Sequence, residues 1–129
     1  MPILIKWGNE AEHIIEIAYS GRWTWDDFYA VDATMRKMVD QAKGRTHLII
    51  DVTKNVWFPP DIAEHSDRIV SSLDPRLGMI VLVGREINKE LMNLLATEND
   101  IITSRYSFAY DLETAERIIA DWNKSHEQH

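Results

Sequence analysis

Three short stretches of the chain carry the side chains best suited to binding chemistry. They combine large aromatic residues with basic ones: Arg22, Trp23, Trp25, Lys54, Trp57, Phe58 and Arg85. Aromatic rings offer a large apolar area with a specific geometry, and guanidinium or ammonium groups pair with carboxylates and phosphates. This combination predicts non-covalent binding of an anionic amphiphile, such as a carboxylate or acyl phosphate, or of an acidic segment of a protein partner.

Packing is the competing interpretation of the same aromatic residues. A tryptophan after a strand often covers a helix end, and packing is the favoured role for Trp23 and for Trp25 taken individually. Trp57 and Phe58 precede two stiff prolines, and for them packing and exposure for binding stay equally open.

Catalytic patterns are not evident. The five histidines lack metal-ligand spacing: His13, His47, His65, His126 and His129. Glu64 and His65 are consecutive on a predicted helix, where they point apart, so a solvated face is expected there. The chain has no cysteine, which excludes thiol chemistry and disulfides. We predict no catalytic residue, no metal and no cofactor, with a hydrolase as the residual alternative.

Composition narrows the partner class. The chain has 129 residues, a formal net charge of −7 and a 27% share of charged residues. Nucleic-acid binders concentrate basic residues on one face, whereas lysines and arginines here are scattered among acids. We therefore expect no nucleic-acid partner. No apolar run is long enough to span a membrane and no signal peptide is evident, so we expect a cytoplasmic location.

Hydrophobic patterning predicts alternating strands and helices. Strands are expected at residues 3–7, 13–19, 47–52, 78–84 and 107–110, and helices at 25–43, 60–73, 89–100 and 112–122. Thr24 and Asp111 are predicted helix caps, and Gly44 a helix stop. This order predicts a mixed, mostly parallel five-stranded α/β sheet with an antiparallel first strand and about four helices on both faces.

Parallel strands end at one edge of a sheet. Three loops, SGRWTW, TKNVWFPP and GREIN, should therefore meet at the carboxyl edge, where ligands bind in open α/β folds. Helix amino termini at the same edge add partial positive charge. The seven residues named at the outset are thus predicted to form one binding surface.

The chain resembles the STAS domain of sulfate-transporter tails and anti-sigma-factor antagonists, in its sporulation-antagonist-like variant. The resemblance covers residues 1–124 and rests on the element order and on two stretches, LIIDVTKNVWFPPDI and SFAYDLETAERII. Residues 125–129 are predicted to be a frayed polar tail. The resemblance implies a non-catalytic regulatory or protein-interaction module.

One departure from the family is informative. Regulatory members carry a phosphorylatable serine after an Asp at the start of the second helix, but this chain has Phe58, Pro59, Pro60 and Asp61 there. A kinase acting on that position would find no hydroxyl. Thr53 and Ser66 are the nearest hydroxyls, and either is a candidate substitute acceptor. For Thr53 the favoured role is that of a turn residue that bonds its own backbone.

Two function classes follow. The first is a STAS-like module that binds a protein partner or a second copy of itself. The second is a carrier of a small molecule or lipid, which requires an enclosed apolar pocket of roughly 300 Å³ or more.

Overall fold

The computed structural model of the protein has a five-stranded sheet with helices packed on it. It describes residues 2–9, 13–42, 44–54, 57, 59–61, 64–65, 68, 74–84 and 106–126. The elements along the chain are β1 (Ile3–Asn9), β2 (Ile14–Ser20), α1 (Trp25–Ala42), β3 (Thr46–Lys54), β4 (Leu77–Val83), β5 (Tyr106–Ala109) and α2 (Leu112–His126).

The strands lie in the sheet in the order in which they occur in the chain, β1-β2-β3-β4-β5. β1 pairs with β2 antiparallel, and β2, β3, β4 and β5 pair in parallel. A parallel pair needs a long crossover between its strands, whereas an antiparallel pair can follow a short turn. The predicted mixed sheet with its antiparallel first strand at one end is confirmed.

The described residues contain two complete helices, α1 and α2, rather than about four. The other two predicted helices fall on residues 60–73 and 89–100, and within these only residues 60, 61, 64, 65 and 68 are described. Three of those residues, Glu64, His65 and Arg68, are helical. No helix in the described part of the chain is long and apolar enough to cross a membrane.

The start of α1 is fixed by a reciprocal cap. Thr24 Oγ1 accepts a hydrogen bond from the Asp27 backbone N–H at 3.1 Å, and the Asp27 carboxylate accepts one from the Thr24 N–H at 2.9 Å. The cap satisfies two donors, and Asp26 and Asp27 face the positive end of the helix dipole. The predicted role of Thr24 is confirmed, and it sets the position of Trp25 as the first helical residue.

α1 and α2 cover opposite faces of the sheet. Alternate residues of a strand point to opposite faces, so Ile15 and Leu48 pack with the α1 core while their neighbours Ile14 and Ile49 pack with the α2 core. Burial on both faces explains the continuous apolar run in β3. The predicted placement of helices on both faces is confirmed for these two.

α2 is capped as predicted and runs further than expected. Asp111 Oδ1 accepts the Thr114 backbone N–H at 2.7 Å. A hydrogen bond from the Thr114 side chain, and after it the backbone one, holds the Asp111 pKa below its usual value. Ala115 and Ile119 are fully buried against the sheet. The helix includes Ser125 and His126, the first two residues of the predicted tail.

An ionic contact ties the end of α1 to the start of β4. Arg76 binds Asp74 at 2.7 Å and Asp40 at 2.6 Å. The Arg76 side-chain hydrogen bond is the main cause that lowers the Asp74 pKa from 3.8 to about 2, and Asp74 is buried. The folded state therefore favours the ionised carboxylate.

The first prediction concerns acid stability. Because the folded pKa of Asp74 lies below its unfolded value, its contribution is fully present above about pH 4 and is lost as the pH falls toward about 2. We expect Asp74→Asn to lower the unfolding free energy at neutral pH by about 1 kcal/mol, a figure discounted for the half-exposed guanidinium. The difference from wild type should vanish near pH 2 in urea titrations.

The matched control is Asp121→Asn, which removes an exposed carboxylate of α2. It should change the pH profile little. A stability difference for Asp74→Asn that stays constant between pH 7 and 2 would contradict the assigned role.

Candidate binding site at the carboxyl edge

The parallel pairing of β2 and β3 places two of the predicted loops side by side. Ser20 at the end of β2 is the register partner of Lys54 at the end of β3. Gly21 then turns the chain with a φ of 59°, a conformation that glycine adopts without strain. The segment that begins at Gly21 and the segment that follows Lys54 therefore leave the sheet as neighbours.

Arg22 and Trp57 meet across these neighbouring loops. The Arg22 guanidinium carbon lies 5.2 Å from the centre of the Trp57 ring, within the range of a cation–π contact. Trp57 is half-buried and Arg22 is exposed. A guanidinium group that lies on an aromatic ring still has N–H donors accessible to an anion. This pair is therefore the centre of the candidate site.

Trp23 belongs to the core rather than to the surface. Only 4% of its area is exposed. Its ring lies 5.1 Å from that of Tyr19 and 5.2 Å from that of Trp25, with the second pair edge-on. Packing was the favoured role for Trp23 in the sequence, and here it supports Trp25 from below.

Trp25 connects the start of α1 to the segment after the two prolines. Its indole N–H donates to the Pro60 carbonyl at 2.7 Å. Its ring stacks on the His65 ring, with centroids 4.0 Å apart and planes 13° apart. Trp25 is half-buried, so part of the ring stays accessible at the edge.

Tyr29 completes this contact. It lies four residues after Trp25 on the same side of α1, and its hydroxyl lies 2.7 Å from His65 Nδ1. We call Trp25, Phe28, Tyr29 and His65 the aromatic corner, because their rings lie within 6.5 Å of at least one other member. Two kinds of contact, stacking and hydrogen bonding, thus fix His65.

Sequence reasoning missed Tyr29 and His65. His65 was expected on a solvated face, but it is half-buried between Trp25 and Tyr29. The i, i+4 spacing of Trp25 and Tyr29 was a usable signal for one shared face. Their partner lies 36 residues beyond Tyr29, and no local pattern connects the two.

The prolines hold the connecting backbone in place. Pro59 is buried, Pro60 is exposed, and Asp61 has a φ of 66°, an uncommon conformation for a residue with a side chain. Proline fixes its own φ, which reduces the number of conformations the loop can adopt. The Pro60 carbonyl is thereby presented to Trp25.

Thr53 has a defined local partner. Its backbone N–H and its hydroxyl both donate to Asp51 Oδ1, at 2.9 and 2.6 Å. Thr53 is a strand residue of β3, and its hydroxyl donates to the Asp51 carboxylate and not to its own backbone. The predicted role of Thr53 as a turn residue that bonds its own backbone is therefore wrong. Ser66, the other candidate phospho-acceptor, lies outside the described residues.

The charges at this edge are divided into two parts. Arg22, on the Trp57 ring, and Lys54, at the end of β3, are exposed. Neither takes part in an ion pair with a carboxylate in the described part of the chain. The exposed Asp61 and Glu64 lie on the other side, next to the aromatic corner. Phe58 and Arg85 fall outside the described residues, so the described cationic surface consists of Arg22, Lys54 and Trp57.

The remaining described histidines lie away from this edge. His47 is buried near the amino end of β3, with Nδ1 accepting the Met79 N–H at 3.0 Å and Nε2 lying 2.8 Å from Asn123 Oδ1. His126 stacks on Trp122 at 3.7 Å. Among the residues that the structure describes, no group of three or more histidines and carboxylates could hold a metal ion.

Comparisons of the chain with family models, with curated proteins and with solved structures gave no significant match. The candidate site is therefore argued from its own geometry.

The second prediction tests the Tyr29–His65 contact. Tyr29→Phe removes one partner of a part-buried hydrogen bond and should lower the unfolding free energy by about 1 kcal/mol in chemical denaturation. Tyr110→Phe is the control, because Tyr110 is 60% exposed. Equal effects of the two changes would show that the Tyr29 hydroxyl contributes nothing specific.

Proposed function

We propose that the protein is a non-catalytic, STAS-like interaction module that binds an acidic segment of a protein partner at the carboxyl edge of its sheet. The observation that carries the proposal is the Arg22 guanidinium on the Trp57 ring, 5.2 Å from its centre. Arginine and tryptophan are the residue types most enriched among interface anchors. Lys54, beside the start of the same loops, adds a second cation.

Charge complementarity favours an acidic partner. Arg22 and Lys54 lack carboxylate partners in the described part of the chain, so their charges are available to a ligand. On a protein with a net charge of −7, a local cationic surface also orients an approaching acidic segment. The expected binding is therefore salt-sensitive.

The polar groups of the site support binding rather than catalysis. Tyr29 and His65 engage each other, and Asp51 Oδ1 accepts two bonds from Thr53. A general acid or base must instead reach the reacting proton of a substrate. These engaged groups hold the loops in place, and this is the role we assign to them.

The STAS-like part of the proposal is supported by the sheet architecture and concerns the position where regulatory members of the family carry a phosphorylatable serine. The mixed sheet with an antiparallel first strand is consistent with such a domain. Residues 57–61 contain no hydroxyl group. A module of this kind would be regulated by the availability of its partner and not by phosphorylation at the family position.

A small-molecule or lipid carrier is less well supported. A carrier needs an enclosed apolar pocket, and Trp23, one of the aromatic residues predicted to line it, is instead buried against Tyr19 and Phe28. Native mass spectrometry of the protein as purified separates the two functions. A retained acyl or other apolar ligand would favour the carrier.

The third prediction tests the cationic surface. The affinity of the protein for a panel of Asp- and Glu-rich peptides is measured by fluorescence anisotropy at low and high salt. Arg22→Glu and Trp57→Ala should each weaken binding at least about tenfold, because each removes half of the central contact. Melting temperatures should change little for Arg22→Glu, since its side chain is exposed.

The matched control is Lys124→Glu, the same charge reversal on exposed α2. It should leave peptide binding nearly unchanged. Equal losses of affinity for Arg22→Glu and Lys124→Glu would show that the effect comes from the net charge of the protein and not from the site. A panel in which no peptide binds in a salt-sensitive way would overturn the acidic-partner proposal.

A further inference from the structure

On the α2 side of the sheet, most of β1 and β2 is not covered by either helix of the described part of the chain. α2 packs on β3, β4 and β5, and on the α2 side of β1 and β2 it reaches Ile14. Beyond Ile14, the same side of these two strands presents Leu4, Lys6, Gly8, Glu16 and Ala18, which we call the open face. Leu4, the second residue of β1, is 61% exposed, a high value for a leucine in a sheet strand.

The open face has an ordered arrangement of size and charge. Leu4 is the register partner of Ala18, and Lys6 is the register partner of Glu16. Each row across the two strands thus places a large residue beside a small one, or a cation beside an anion. The large and cationic members lie on β1, and the small and anionic members lie on β2.

The two opposite charges on this face do not pair with each other. Lys6 and Glu16 take part in no ion pair with the described residues. The Glu16 carboxylate lies over Gly8 instead, since a Cβ built on Gly8 would come within 2.7 Å of Glu16 Oε2. Both charges therefore remain available to a partner.

We infer that the open face is the interface of a homodimer. Consider two copies stacked with their open faces together, related by a two-fold axis that lies midway between the two sheets and runs parallel to the strands between β1 and β2. This axis places β1 of one copy over β2 of the other. It places Leu4 over the partner's Ala18 and Lys6 over the partner's Glu16, each contact occurring twice. Such self-complementarity is what a two-fold interface requires, and sheets stack at about 10 Å with aligned strands.

A second copy of the chain fits this surface better than another partner does. Both signs of charge lie in one row, so a uniformly acidic or basic partner would meet repulsion from one of them. The face comprises the five residues named above, few compared with the roughly 20–30 residues a side of a stable interface. The dimer should accordingly be weak and concentration-dependent.

Charge reversal tests the inference. The full chain is examined by sedimentation velocity from about 1 µM to about 1 mM, a range that covers weak association. Wild type should shift from monomer to dimer. Lys6→Glu and Glu16→Lys should each weaken the dimer at least about tenfold, because each variant places like charges opposite each other twice.

An equimolar mixture of the Lys6→Glu and Glu16→Lys variants supplies the decisive measurement. In the mixed dimer both contacts join opposite charges again, so association should return. Recovery also shows that neither variant had failed to fold. Lys124→Glu, on the exposed surface of α2, should dimerise as wild type does.

Other results would overturn the inference. They are a monomer at about 1 mM, a dimer that Glu16→Lys leaves unaffected, or a mixture that does not associate. An effect of Lys6→Glu without one of Glu16→Lys would indicate pairing along the outer edge of β1 instead. The open face shares no residue with the carboxyl-edge site, so either proposal can fail without the other.

Discussion

The parallel pairing of β2 with β3 is the constraint on which the rest of the arrangement depends. β3 is the central strand of the sheet and β2 lies beside it, and their ends at Ser20 and Lys54 are register partners. Because both strands run in the same direction, α1 must carry the chain back from one edge to the other. The same direction also brings the loops after Ser20 and Lys54 together, which puts Arg22 on Trp57.

Contacts across these loops then fix the aromatic corner. The Thr24–Asp27 cap determines where α1 begins, so Trp25 and Tyr29 lie on its first turns at the carboxyl edge. Trp25 holds the Pro60 carbonyl and Tyr29 holds His65. Each bond is modest by itself, but together they join a helix start to a segment more than 30 positions further along the chain.

β1 and β3 differ in how the two described helices cover them. β3 is covered on one side by the α1 core and on the other by the α2 core, which accounts for its apolar sequence. β1 is covered on the α1 side, where Ile3 is buried, and not on the α2 side, where Leu4 and Lys6 are exposed. The alternation along β1 therefore separates a core-forming side from the open face, which shares no residue with the carboxyl-edge site.

The sequence by itself determined the local structure, because the signals for it are local. Apolar periodicity identified the five strands, α1 and α2, and short polar patterns identified the caps at Thr24 and Asp111. The length of the connections then implied the mixed sheet, since the short connection between the first two predicted strands permits only an antiparallel pair whereas a helical crossover favours a parallel one. The grouping of Arg22, Lys54 and Trp57 at one edge followed from the same argument.

Tertiary structure decided which residues of that group face solvent and which support them. Trp23 and Trp25 stand two positions apart with the same side chain, yet Trp23 is buried against Tyr19 and Trp25 is half-exposed on His65. The role of His65 depends on Tyr29, 36 residues away, and the open face depends on how far α2 extends across the sheet. Such outcomes arise from contacts between distant segments, and the spacing of residues along the chain does not encode those distances.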